Sequence, residues 1–221
     1  MKKLVITAVS VAAALAVGGA ANASVTATTA PGAAVYAGPA PTYDFDTPAT
    51  TPTFSGGAVV GPGTTSGQFA QPLGSTGLYY SVGPSTSSPG TLDIANATGV
   101  NWVSFIWGSV DTYNTLEVLG TGGAVLATIN GATLPPANGN QGAANSNPIV
   151  TLTFSGQDAF DFSGLRLKST SNAFEIDNIA VNAVPEPATW AMFILGFGLL
   201  GGLLRVRTAE RRRSTSALSF S

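Results

Sequence analysis

An all-β fold, a single jelly-roll-like β-sandwich, is predicted for the middle of this 221-residue chain, flanked by an N-terminal signal helix and a C-terminal transmembrane helix. Three observations predict it. Charged residues make up only 9% of the chain, while 27 glycines and 14 prolines supply turns; ordinary soluble domains carry about 25% charged residues. Apolar residues between positions 24 and 183 recur with period two, as in strands with one buried face, and no segment there keeps a 3.6-residue period. The long uncharged apolar runs lie at the two ends, beside Lys2-Lys3 and beside an arginine cluster.

The N-terminal run fits an export signal. Lys2-Lys3 is a charged start, Leu4 to Val17 is apolar, and Ala21-Asn22-Ala23 has the small-x-small spacing that a signal peptidase cuts. Residues 1–23 are therefore expected to be removed, with Ala21 and Ala23 before the cut and Ser24 after it. Residues 24–42, rich in Ala, Thr, Pro and Gly, read as a flexible leader.

The sandwich is expected over residues 43–183, beginning at Tyr43-Asp44-Phe45. Asn101–Trp107 is apolar and aromatic enough for a central strand. Leu116–Leu119 and Val125–Ile129, separated by Gly120-Thr121-Gly122-Gly123, predict a hairpin. Pro135–Pro148, with Asn138, Asn140, Asn145 and Asn147, reads as a long polar loop. Val150, Leu152 and Phe154 should face inward with Thr151 and Thr153 outward, and Leu165 and Leu167 inward with Arg166 and Lys168 in water. In the last strand Phe174 and Ile176 share one parity and Ile179 and Val181 the other, which predicts a β-bulge at Asp177-Asn178.

Composition removes several functions. With no cysteine there is no disulfide scaffold, and with no histidine there is no His-based triad, metal site or acid–base chemistry. Between residues 24 and 183 two bases, Arg166 and Lys168, face nine acids, a net charge of −7. Such a surface offers nothing to phosphate, so nucleic-acid binding is not expected.

The C-terminal segment carries the most specific motif. Pro185-Glu186-Pro187 precedes Trp190-Ala191, an uncharged run to Leu204, and Arg205, Arg207, Arg211, Arg212 and Arg213. The span 188–204 is 17 residues, roughly 25 Å as a helix at about 1.5 Å per residue, with the arginines as a cytoplasmic stop-transfer signal before a tail at 214–221. Over residues 184–213 this resembles the PEP-CTERM sorting signal, in its PEPxxWA form. The resemblance implies an exosortase as partner, passage through the inner membrane of a Gram-negative bacterium, and release toward a cell surface or matrix rich in exopolysaccharide and biofilm. Trp107–Leu116 resembles a segment recurrent in PEP-CTERM surface proteins, where Asp111 and Asn114 are expected to make side-chain-to-backbone turns.

Residues 174–181, Phe-Glu-Ile-Asp-Asn-Ile-Ala-Val, resemble the closing strand of lectin-like and carbohydrate-binding sandwiches. The resemblance implies a structural calcium between first and last strands, for which Asp44, Asp46 and Asp177 are the candidate ligands. Trp102, Trp107, Tyr79, Tyr80 and Tyr113 are candidate sugar-stacking aromatics. The expectation is a non-catalytic surface or matrix protein that binds carbohydrate. The rivals are a carbohydrate-active enzyme, for which Glu117 and Glu175 are the carboxylates to test, and a purely structural or adhesive protein.

Overall fold

A computed structural model describes residues 24–94, 99–134, 136–184 and 192–199. The strands are β1 (Ser24–Ala30), β2 (Thr53–Ser55), β3 (Ala58–Val60), β4 (Tyr79–Val82), β5 (Gly90–Asp93), β6 (Val100–Gly108), β7 (Asn114–Gly120), β8 (Val125–Asn130), β9 (Ile149–Ser155), β10 (Phe162–Ser169) and β11 (Phe174–Ala183). They form two antiparallel sheets, ordered β1-β9-β6-β11-β4-β3 and β2-β5-β10-β7-β8. Period-two patterning explains why the sheets pack face to face. Val103, Phe105, Val150, Leu152 and Ile176 of the first sheet meet Leu92, Leu116, Val118, Leu165 and Leu167 of the second in one core. Trp107 and Phe174 stack within it, with ring centroids 4.2 Å apart.

The strand assignments made from alternation hold. β6 lies inside the six-stranded sheet between β9 and β11. The glycine turn of the β7–β8 hairpin is a short 3-10 helix, Thr121–Gly123, with Gly122 at φ 71. In β11 the register against β6 shifts between Asp177 and Ala180, and Asn178 has φ 52. This is the expected bulge, and it returns Ile179 to the core after Phe174 and Ile176.

Two expectations at the start of the sandwich are corrected. Residues 24–30 belong not to a flexible leader but to edge strand β1, paired with β9 from Ser24↔Ser155 to Ala30↔Ile149. Backbone pairing with β9, plus Val25 packed against the core, holds a segment whose composition alone suggested no structure. Tyr43, expected to open the first strand, makes only an isolated bridge to Ile179. Phe45 is nonetheless core, stacked on Tyr80 with centroids 5.8 Å apart.

Residues 192–199 of the expected membrane span are helical. Among the described residues no helix is long and apolar enough to cross a membrane. The rest of the expected 188–204 span, the expected signal peptide and the 214–221 tail lie outside the described residues.

The Trp107–Phe174 stack fixes the first stability prediction. Phe174→Ala should cost about 3–5 kcal/mol, because a buried aromatic leaves a cavity that the sheets cannot close. Phe54→Ala, on the edge strand β2 and 41% exposed, should cost far less. Urea unfolding followed by far-ultraviolet circular dichroism checks both.

Candidate functional site

Alternation in β11 sends Phe174 and Ile176 inward, and so sends Glu175 and Asp177 to the outer face of the six-stranded sheet. An outward carboxylate would ordinarily reach water. Here both are buried, because residues 61–78 cross over this face. Ala70 N donates to Glu175 Oε1 at 2.8 Å, and Ser75 Oγ donates to Asp177 Oδ2 at 2.5 Å. Tyr79 points to the same side, edge-on to Phe69, and its hydroxyl donates to the Gly63 carbonyl at 2.7 Å.

A cleft of about 260 Å³ opens where this crossing segment meets the turn after β6 and the 136–148 loop. One side chain ties the three together. Asn147 is fully buried, and its Oδ1 accepts from Leu73 N at 3.1 Å and from Ser109 N at 2.9 Å. Its Nδ2 lies 3.0–3.2 Å from the carbonyls of Asn140, Gln141 and Ala143. The polar loop read from sequence is thus folded around its own asparagines.

Glu175 lies at the floor of the cleft and Asp111 on its wall. Burial pushes the Glu175 carboxyl up to about 7, against the Ala70 and Ser109 hydrogen bonds, with the charge of Asp111 adding to the rise. The Tyr113 hydroxyl sits 2.6 Å from Asp111 Oδ2 and 3.0 Å from the Asn172 carbonyl. Burial and then Asp111 raise the Tyr113 phenol well above its ordinary value, so it stays a donor. Gly139, at φ 64, lies against the other oxygen: a Cβ there would be 2.6 Å from Asp111 Oδ1. Glycine is required both for that backbone and for that approach. The amides of Gln68 and Gln141 also line the cleft. Ser109 adopts φ 35, a left-handed conformation uncommon for serine, at the same place.

The three carboxylates expected to hold calcium are brought near one another but not into a metal site. Among the described residues no group of three or more Asp and Glu could hold a metal ion. Each of the three also accepts from a protein donor. Asp44 Oδ1 accepts from Asp46 N at 3.1 Å, and Asp46 Oδ1 from Leu78 N at 2.7 Å. Asp177 accepts from Ser75 and from Asn178 N at 2.7 Å. Burial raises Asp177 to about 7 against these bonds, with Asp46 and Asp44 contributing repulsion.

β11 ends at Ala183, where Val184 N donates to the Gly99 carbonyl at 2.9 Å and the chain leaves the sandwich. The family comparison matches from that point. Residues 183–212 match the PEP-CTERM protein-sorting motif. The PEP-CTERM motif implies an exported protein held transiently in the membrane, with an exosortase as its sorting partner. No curated protein and no solved structure matches the chain. Pro185, Glu186, Pro187, Trp190 and Ala191, the expected stop-transfer residues Arg205, Arg207, Arg211, Arg212 and Arg213, and the expected signal-cleavage residues Ala21 and Ala23 lie outside the described residues. Ser24 is the first residue of β1.

Other candidates are sorted by the two faces of each sheet. Glu117 and Glu175 do not share a cleft. Glu117 projects from the five-stranded sheet, where Arg166 Nε donates to it at 2.6 Å and Lys168 pairs with its other oxygen. Burial works against its ionisation, but these two cations outweigh it and hold the carboxyl below the usual range. Trp107 and Tyr80 are core, Tyr79 is buried under residues 61–78, and Trp102 is half-buried; Tyr113 is the aromatic candidate that reaches the cleft. Asp111 and Asn114 do not make the expected side-chain turns. Asp111 faces the cleft, while Asn114 is buried, donating to the Ala173 carbonyl and accepting from Ser169 Oγ. Spacing missed the Asp111–Glu175 pair because the two lie 64 positions apart and meet only through the β6–β11 pairing.

Glu175 and Asp177 together set a pH dependence. Both are raised to about 7 in the folded protein, so between about pH 4 and pH 7 the native state holds protons that the unfolded chain has released. Stability should therefore fall as pH rises through that interval and level off above it. Melting temperatures from pH 4.5 to 8 check this. The double variant Glu175→Gln, Asp177→Asn keeps the shapes and hydrogen-bond partners, and should flatten the slope.

Proposed function

We propose that residues 24–183 form a non-catalytic carbohydrate-binding module, exported through signal-peptidase cleavage before Ser24 and released by an exosortase to the surface or matrix of a Gram-negative bacterium. There it associates with exopolysaccharide in a biofilm. The observation that carries the ligand reading is the cleft of about 260 Å³, a preformed concavity bordered by amides, two carboxyl groups and a tyrosine. Sugar hydroxyls both donate and accept, and Gln68 and Gln141 offer both functions. Neither makes a side-chain hydrogen bond to another described residue, so each is open to a ligand.

A second reading, a glycosidase, has one observation in its favour: Glu175 and Asp111 border the same cleft, one carboxyl raised by burial and the other half-exposed. Binding is the better supported reading. Glu175 is 1% exposed, with Oε1 taken by Ala70 N–H and Oε2 facing Ser109, which leaves it recessed from a glycosidic oxygen.

A glycan array on the purified protein should show binding that weakens about fivefold in Gln68→Ala and in Gln141→Ala, the loss of about one hydrogen bond each. Reproducible release of reducing sugar from a polysaccharide panel, abolished by Glu175→Gln or Asp111→Asn, would replace binding by hydrolysis. No binding and no release would leave an adhesive or structural protein.

The sorting reading has its own test. Replacing Pro185-Glu186-Pro187 by alanines should leave membrane insertion intact and block release, because two prolines keep that stretch extended for a transpeptidase. Mass spectrometry of the C-terminus in hosts with and without exosortase checks it. A wild-type protein that keeps its peptide through Arg213 in an exosortase-positive host would be a permanent anchor.

A further inference from the structure

The carbohydrate reading leaves open which sugar the cleft accepts, and its charge pattern narrows that choice. Two carboxylates, Asp111 and Glu175, border the cleft, and no Lys or Arg does. The two bases between residues 24 and 183 are Arg166 and Lys168, and both are paired with Glu117 on the outer face of the other sheet. Among the described residues, therefore, no cation lining the cleft compensates a uronate, sulfate or phosphate. The net charge of −7 over residues 24–183 repels such groups and draws cations.

Asp111 supplies the specific contact. Its Oδ2 is engaged by the Tyr113 hydroxyl, while Oδ1 accepts no hydrogen bond from the described residues. A Cβ at residue 139 would fall 2.6 Å from that oxygen, so glycine at this position leaves its approach open. An ammonium group carries three donors and no acceptor. It can meet Asp111 Oδ1 and still find amide oxygens at Gln68 and Gln141 on the cleft wall. A neutral hydroxyl makes a weaker bond to the same carboxylate, and an acetylated nitrogen loses the charge altogether. A cavity of about 260 Å³ is smaller than the roughly 300–1,000 Å³ of drug-sized pockets, which suits one ring of a chain and not several.

We propose that the cleft selects amino sugars with free ammonium groups, taking one unacetylated ring of a glycan against Asp111. This rests on the cleft being a carbohydrate site. The test is isothermal titration of the purified full-length protein with three tetramers: glucosamine, N-acetylglucosamine and galacturonate. Glucosamine tetramer should bind about tenfold tighter than the N-acetylated one, the difference between a charge-assisted and a neutral hydrogen bond, and galacturonate should not bind. The preference should shrink with added salt. Asp111→Asn, which keeps the Tyr113 partner, should lower glucosamine binding to the level of the N-acetylated tetramer. If that variant does not melt cooperatively, Gln141→Glu, an added carboxylate at an exposed wall position, should widen the preference instead. Equal or tighter binding of the N-acetylated tetramer overturns the ammonium selection while the carbohydrate site stands. Loss of binding for every sugar removes the site itself. Tetralysine competing as well as glucosamine tetramer also overturns the proposal, because the cleft would then read charge without the sugar.

Discussion

The structure depends on one constraint in β11: a strand inside the six-stranded sheet carries two carboxylates on the face away from the core. Glu175 alternates with Phe174 and Ile176, so inward packing of those two forces it outward. Asp177 follows by the same parity, and the bulge at Asn178 then ends the alternation. Without cover, these carboxylates would simply be solvated. With residues 61–78 laid across them they are buried, and each must find donors or keep its proton. Ala70 N–H, Ser75 Oγ and Asn178 N–H are those donors. Neighbouring bonds make the cover specific, with Asn147 joining the crossing segment to the turn after β6. The cleft is the gap left where these covering segments meet.

The fold was legible because each sheet has one face in a common core. Period-two runs such as 150–154 and 165–168 name their inward residues unambiguously, and the parity break in 174–181 even locates a bulge. β1 was not legible. Ser-Val-Thr-Ala-Thr-Thr-Ala has little to bury, and its strand conformation comes from pairing with β9 more than 120 residues away. The same limit applied to Tyr43–Asp46. Asp44 and Asp46 read in sequence as lying on a first strand, but they sit in a loop, where Asp46 N donates to one oxygen of Asp44 and Leu78 N of the crossing segment donates to one oxygen of Asp46.

The cleft was the least legible part, for a physical reason. Sequence alternation tells which face a residue takes, but not whether that face is open or covered. Glu175 and Glu117 look alike in sequence: each is flanked by inward apolar residues. One is covered by a crossing segment and raised, and the other is held between two cations and lowered. Asn147 is similar. Four asparagines between two prolines suggest a polar loop, and only the tertiary structure shows that one of them is fully buried and holds three segments together.

The strand registers relate the cleft to the sorting tail. Val100 of β6 pairs with Ala183, and Gly108 at the other end of the strand pairs with Glu175. A nine-residue strand rises roughly 25 Å over that distance. β9 runs antiparallel to β6, with Thr153 opposite Trp102, so Ser155 lies toward the Val100 end, and Ser24 pairs with Ser155. Ser24 and Ala183 therefore emerge at one end of the sandwich, while Ser109, Asp111, Tyr113 and Glu175 border the cleft at the other. The matched sorting motif continues the chain from that first end. The residues that match the sorting motif thus continue from the end of the sandwich opposite the cleft, and no residue lining the cleft belongs to the motif.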